Sequence, residues 1–244
     1  MMLMRVEIRD VEKIKLKNPV IIEGFPGIGM VGTISATYLT EKLDMKLIGY
    51  ITSTHFPPIS AIHDYKPVSP ARIYASEKYN VIALFSEFVI PSEIVFPLSE
   101  RIIKYAKDVK AKAIYSLAGI AVEQPSQRMH GIASTDAMAE LLKSKGVELI
   151  KEGATQGVSG VLIAECAADG FPAANVLVET GSAMDPKAAA RLLEKLSEII
   201  DVPIDTKALV SEGEKIEARM KQALTKMKSM NNSYQKMEDN PMYA

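Results

Sequence analysis

Tryptophan is absent, cysteine occurs once and histidine three times in the 244 residues. The single cysteine, Cys166, excludes an intramolecular disulfide framework and suits a reducing compartment. His55, His63 and His130 are too few and too scattered to build a histidine/cysteine zinc site with it. Aromatic residues make up only 6%, which argues against a stacked platform for single-stranded nucleic acid. Charge of one sign is also missing. The formal net charge is -1, so no global field favours nucleic acid or an anionic membrane. Met1 to Asp10 lacks the apolar run of a signal peptide, and no stretch approaches the roughly 20 apolar residues that span a bilayer. These absences predict a soluble, cytoplasmic protein with no metal.

What remains is 48% apolar and 24% charged, the profile of a globular domain. Val20-Ile21-Ile22 is a short continuous apolar run, as buried parallel strands are. A glycine-rich turn follows, then helical spacing through Ile34, Tyr38 and Leu43, then a strand over Leu47 to Thr52. Further strands are predicted over Ala71 to Ser76, Val81 to Phe88, Ala113 to Leu117, Val147 to Ile150 and Ala173 to Val178. Helices are predicted from Ser92, from Ser134 as N-cap, from Gly157 to Ala168, and from Asp185-Pro186 to Pro203. Pro97 requires a place in a helix's first turn. His55 to Pro70, with four prolines, reads as a long ordered loop. Alternating strands and helices predict an α/β three-layer sandwich with a mostly parallel central sheet over residues 1–203.

From Asp205 the composition changes. Leu209, Ile216, Met220, Ala223 and Met227 form a narrow seam on a charged helix, predicted to Met230 and roughly 37 Å long. Such a seam wants a partner helix, from the body or from another copy. Residues 204–230 are therefore a candidate oligomerisation or presenting helix, and residues 231–244 read as a flexible tail with a reach on the order of 46 Å.

Gly27-Ile28-Gly29-Met30-Val31-Gly32 fits G-x-G-x-x-G between a strand and a helix, where backbone amides could hold a phosphate. The next strand, however, ends without the acidic residue that would hold a ribose. Two readings stand: a ligand loop at Gly27, Gly29 and Gly32 serving a nucleotide- or phosphate-binding enzyme, or a tight scaffold turn. Other chemistry is thin. Gly157-Val158-Ser159-Gly160-Val161 departs from the nucleophile-elbow pattern, so Ser159 reads as a helix cap. Glu87 and Glu179 fall at strand ends and could form a carboxylate pair, although salt-bridged surface acids are commoner. His130 and Asp136 lie too close in sequence for a triad, and Cys166 reads as a small core hydrophobe. No catalytic residue and no cofactor is predicted.

Residues 20–32, VIIEGFPGIGMVG, resemble the signature of the proteasome assembly chaperone family, as do His55-Phe56-Pro57-Pro58 and Phe85-Ser86-Glu87. The resemblance covers roughly residues 1–200. It implies a phosphorylase- or hydrolase-like three-layer fold, no established enzymatic activity, and an oligomeric protein-binding scaffold. The long C-terminal helix and tail resemble those of an archaeal member that is a tetrameric, ATP-independent proteasome activator. Met242-Tyr243-Ala244 then fits the hydrophobic-tyrosine-any motif that activators insert between α-ring subunits of the proteasome core particle. The partners so implied are α-ring subunits and other copies of the chain, most simply in a tetramer.

Overall fold

The computed structural model describes residues 6–211 and 213–238. Nine strands form one sheet. Three stand near its middle: β2 (Val20–Gly24), β8 (Ala113–Ala121) and β11 (Ala173–Thr180). On one side lie β7 (Val81–Ser86), β6 (Ala71–Ser76), β3 (Lys46–Ser53) and β1 (Val6–Asp10); on the other lie β9 (Met129–Ala133) and β10 (Glu148–Leu149). The order is β1-β3-β6-β7-β2-β8-β11-β9-β10. Four of the eight pairings are parallel and four antiparallel. The expected mostly parallel sheet is thus a mixed one, parallel through β7-β2-β8-β11 and largely antiparallel on its flanks. The turn Glu77 to Asn80 accounts for part of this, because a short connection can only join antiparallel strands.

The edge strand β1 escapes a sequence reading because Glu7 and Arg9 alternate with Val6 and Ile8 and Asp10 ends it. Charged residues on an edge discourage further pairing. The segment from His55 to Pro70 is more than a loop: β4 (Ala61–His63) and β5 (Lys66–Val68) form a hairpin within it. Asp64 and Tyr65 both have positive φ, 49° and 64°, as a two-residue type I′ turn requires. Pro67 is tolerated opposite Ile62 because that pair alternates with the turn-closing pair His63/Lys66 and needs no N–H.

Helices cover both faces, giving three layers. On one face α1 (Val31–Lys42), α3 (Asp136–Ser144) and α5 (Pro186–Ile200) pack Ile34, Leu39, Leu142, Leu192 and Leu196 against Ile22, Leu117 and Val176. On the other, α2 (Ser92–Asp108) and α4 (Gly157–Ala168) pack Leu98, Ile102 and Leu162 against Ile21, Ile82 and Ile114. Alternation along β2 sends Ile21 and Ile22 to opposite layers, which is why its sequence is apolar without a break. The cap at Asp185 holds as expected, its Oδ1 accepting the Ala188 N–H at 2.8 Å. Two local expectations change. Thr135, not Ser134, caps α3, while Ser134 Oγ accepts from the Ala173 N–H and donates to the Phe171 carbonyl. Pro97 is the sixth residue of α2, beyond the first turn.

The C-terminal segment forms α6 (Lys207–Ser211) and α7 (Gly213–Glu238). At 26 residues α7 is about 39 Å long and continues eight residues past Met230. Residues 231–238 are therefore helical, where the sequence reads as a flexible lead. Leu209 is buried beside α5, and Leu224 and Met227 turn to the body. Among the described residues, no helix is long and apolar enough to cross a membrane.

Candidate functional site: the glycine-laced edge of the sheet

The carboxyl ends of β2, β7, β8 and β11 meet the turn that leads into α1. A Cβ on Gly24 would lie 2.3 Å from the Gly32 carbonyl oxygen, and one on Gly32 would lie 2.2 Å from the Leu117 carbonyl oxygen. The first turn of α1 therefore rests directly on the backbones of β2 and β8, with Thr33 Oγ1 donating to the Gly24 carbonyl at 3.1 Å. Gly29 has φ 66°, abuts Thr180, and its carbonyl accepts the Asp185 N–H at 3.0 Å. A Cβ on Gly27 would meet nothing within 4 Å. Two of the three candidate ligand-loop glycines, Gly29 and Gly32, thus have a packing reason that requires no phosphate.

Two acids at this edge each face a histidine of their own. Glu87, just past β7, pairs with the Arg72 guanidinium and with His63 Nε2 at 2.7 Å. Arg72 is buried and also stands over the Phe85 ring, 5.2 Å from its centroid. The network pins the β4-β5 hairpin to the sheet. Glu179, near the end of β11, lies 2.9 Å from His130 Nε2 and accepts the Ser126 N–H at 2.6 Å. Hydrogen bonds from Ser126 and then His130 draw its pKa down to about 2. The two glutamates do not form a carboxylate pair, and His130 partners Glu179 rather than Asp136.

The group that sequence reasoning missed is Glu23. It is fully buried in β2, with Oε1 accepting the Phe25 N–H at 2.8 Å and Oε2 accepting from Ser159 Oγ at 2.9 Å. Burial pushes its pKa up, against the opposing pull of the Phe25, Ser116 and Ser159 hydrogen bonds. Ser159 is the third residue of α4, so it does not cap that helix as expected. Gln156 occupies the cap position and makes no side-chain cap bond. The available signal was a lone acid within an otherwise apolar strand. Cys166 is buried as expected, its thiol pushed up to about 12 chiefly by burial.

Helix α7 crosses the same edge. Leu224, Met227, Lys228 and Asn231 face Met30, Pro57, Ile59, Glu87, Phe88 and Val89 around a cavity of about 380 Å³. The rings of Phe56 and Phe88 meet edge to face nearby, 4.9 Å between centroids. The three stretches singled out in the sequence thus converge under one helix: the glycine turn through Met30, the proline loop through Pro57, and the β7 end through Glu87. Met242, Tyr243 and Ala244 lie outside the described residues.

This α/β fold with its glycine-laced edge belongs to the PAC2 family, whose family model matches residues 21–224, and with it to the proteasome assembly chaperone homologues. Among solved structures it is similar to Pyrococcus furiosus PbaA, described as an archaeal homolog of proteasome-assembly chaperone. The TM-score is 0.83 at 32% identity, covering 92% of this chain and 99% of that one. Pyrococcus furiosus PbaB, described as an archaeal proteasome activator, shares the fold with a TM-score of 0.78 at 22% identity, covering 90% and 99%. The Methanocaldococcus jannaschii protein MJ0106 is 34% identical over 233 residues, 95% of each chain.

Proposed function

We propose that the protein is a cytoplasmic, proteasome-binding homo-oligomer, most simply a tetramer. Its C-terminal tails dock on the α-ring of the core particle and activate it, or assist its assembly, without ATP and without catalysis of its own. The observation that carries this reading is the family membership, joined to 32% identity with an archaeal homolog of proteasome-assembly chaperone over nearly the whole of both chains. The docking element is Met242-Tyr243-Ala244, six residues or fewer beyond the end of α7. In the docked state the Ala244 carboxylate pairs with a lysine of an α-subunit pocket, the Tyr243 ring packs and its hydroxyl donates, and Met242 fills an apolar lip. One such tail buries little surface and binds weakly. Several tails on an oligomer facing a ring gain avidity, by roughly two to four orders of magnitude.

The test is peptide hydrolysis by a purified archaeal core particle with the full chain or a chain ending at Pro241, alongside light scattering for the oligomer. Stimulation by the full chain that disappears on truncation is the expected result. No stimulation by either chain overturns the activator reading. Co-sedimentation with isolated α subunits that survives truncation assigns binding to the body instead of the tail.

A further inference from the structure

The tip of the β4-β5 hairpin carries two large apolar side chains that the chain's own core does not use. Ile62 is 74% exposed and Tyr65 is wholly exposed. Tyr65 also holds its φ of 64° at the second turn position, a left-handed conformation that glycine or asparagine adopts at lower cost. The hairpin is not free to fold back. His63, next to Ile62, places Nε2 2.7 Å from Glu87 Oε1, and the buried Arg72 guanidinium pairs with the same carboxylate.

Beside that anchor lies the cavity of about 380 Å³ beneath α7, large enough to admit an aromatic ring. Its walls are apolar, from Met30, Pro57, Ile59, Phe88, Leu224 and Met227, and Val89 adds a side chain that is 69% exposed. Its polar members are Glu87, Lys228 and Asn231. Glu87 is engaged by Arg72 and His63. Lys228 is an exposed cation with no ion-pair partner among the described residues, and Asp64, preceding Tyr65 in the turn, is an exposed anion with none.

We propose that Tyr65 of one copy inserts into the α7 cavity of a second copy of this chain. The inference rests on the homo-oligomer reading and gives it one named interface. Three matches select a second copy as the occupant. The knob is aromatic and the hole is apolar, as at the buried centre of protein interfaces. The acid beside the knob, Asp64, meets the base that lines the hole, Lys228. Knob and hole also lie side by side, joined by the His63–Glu87 contact, so a two-fold axis between two copies fills both holes at once.

The test is sedimentation velocity of the full chain at concentrations up to about 100 µM, with disulfide trapping between copies. Tyr65→Ser should raise the dissociation constant roughly thirtyfold or more, as loss of a central aromatic anchor does, at an unchanged unfolding temperature of the dissociated chain. Lys228→Glu should weaken association by about tenfold, whereas Lys228→Arg should not. Mixing a Tyr65→Cys chain with a Val89→Cys chain should give a disulfide between the two, since the natural Cys166 is buried. A natural chain that remains monomeric overturns this inference together with the homo-oligomer reading. An oligomer that Tyr65→Ser leaves intact, or absence of the mixed disulfide, overturns this inference alone.

Discussion

Ser159 Oγ lies 2.9 Å from Glu23 Oε2, tying the first turn of α4 to the strand β2 across 136 residues of chain. The bond holds a carboxyl in full burial where an apolar side chain would fit the pattern of the strand. A buried carboxyl with a raised pKa costs stability as it ionises. Its folded-state value stands above the ordinary 4.5, so its contribution is whole below about pH 4.5 and is lost as the pH rises through the folded value. Glu23→Gln keeps the shape and cannot ionise. The stability difference between this variant and the natural protein should widen in favour of the variant as pH rises from 4.5, in urea midpoints measured at several pH values. A constant difference would show that Glu23 is not neutral in the fold. Glu23→Leu should cost about 2–3 kcal/mol, because the Phe25 N–H is left unpaired.

Glu179 has the opposite sign. Its pKa is lowered to about 2, so its contribution is complete above the ordinary 4.5 and is lost as the pH falls toward 2. Glu179→Gln should flatten the acid limb of the stability profile in that window. An unchanged limb would show that Ser126 and His130 do not hold the charge.

The glycine turn offers a contrast between neighbours. Gly32→Ala places a Cβ 2.2 Å from a backbone carbonyl that cannot yield, and should cost about 3 kcal/mol in chemical denaturation. Gly27→Ala meets open space and should stay within about 0.5 kcal/mol. Equal effects at the two positions would remove the packing account of the turn.

Glu87→Ala leaves the buried Arg72 guanidinium without its carboxylate and should cost about 3 kcal/mol. The double variant Arg72→Met/Glu87→Leu removes both charges and should recover most of that loss. Failure to recover would mean that the pair also supplies hydrogen bonds the fold cannot spare.

Helix α7 meets the sheet edge through a few soft apolar contacts. Leu224→Lys together with Met227→Lys should free it, seen as faster proteolysis and amide exchange between residues 213 and 238 at an unchanged unfolding temperature of the body. Unchanged exchange would show that α6 and the first turns of α7 hold the helix unaided.

Much of the fold was legible along the chain. Continuous apolar runs marked β2, β7, β8 and β11, the Asp185-Pro186 start of α5 was clear, and the VIIEGFPGIGMVG stretch carried the family resemblance that the comparisons bear out. These are local matters: periodicity, caps and turn residues act within a few positions of each other. The edge strand β1 was missed because charge blurs its pattern, and β9, between β11 and β10, because its five residues MHGIA carry only a short and partly buried apolar pattern. The β4-β5 hairpin was missed because the segment is rich in proline, while the one proline in its strands, Pro67, occupies a position where no N–H is needed.

By itself the sequence determined the helices of the body, most of the buried strands, the three layers and the family. Only the tertiary structure decided that the sheet is half antiparallel, that each edge glutamate takes its own histidine, that Glu23 meets Ser159, and that α7 crosses the glycine turn. Each of those facts pairs residues dozens of positions apart. Strand order and helix placement bring them together, and no local pattern in the chain encodes which distant partner a polar side chain will find.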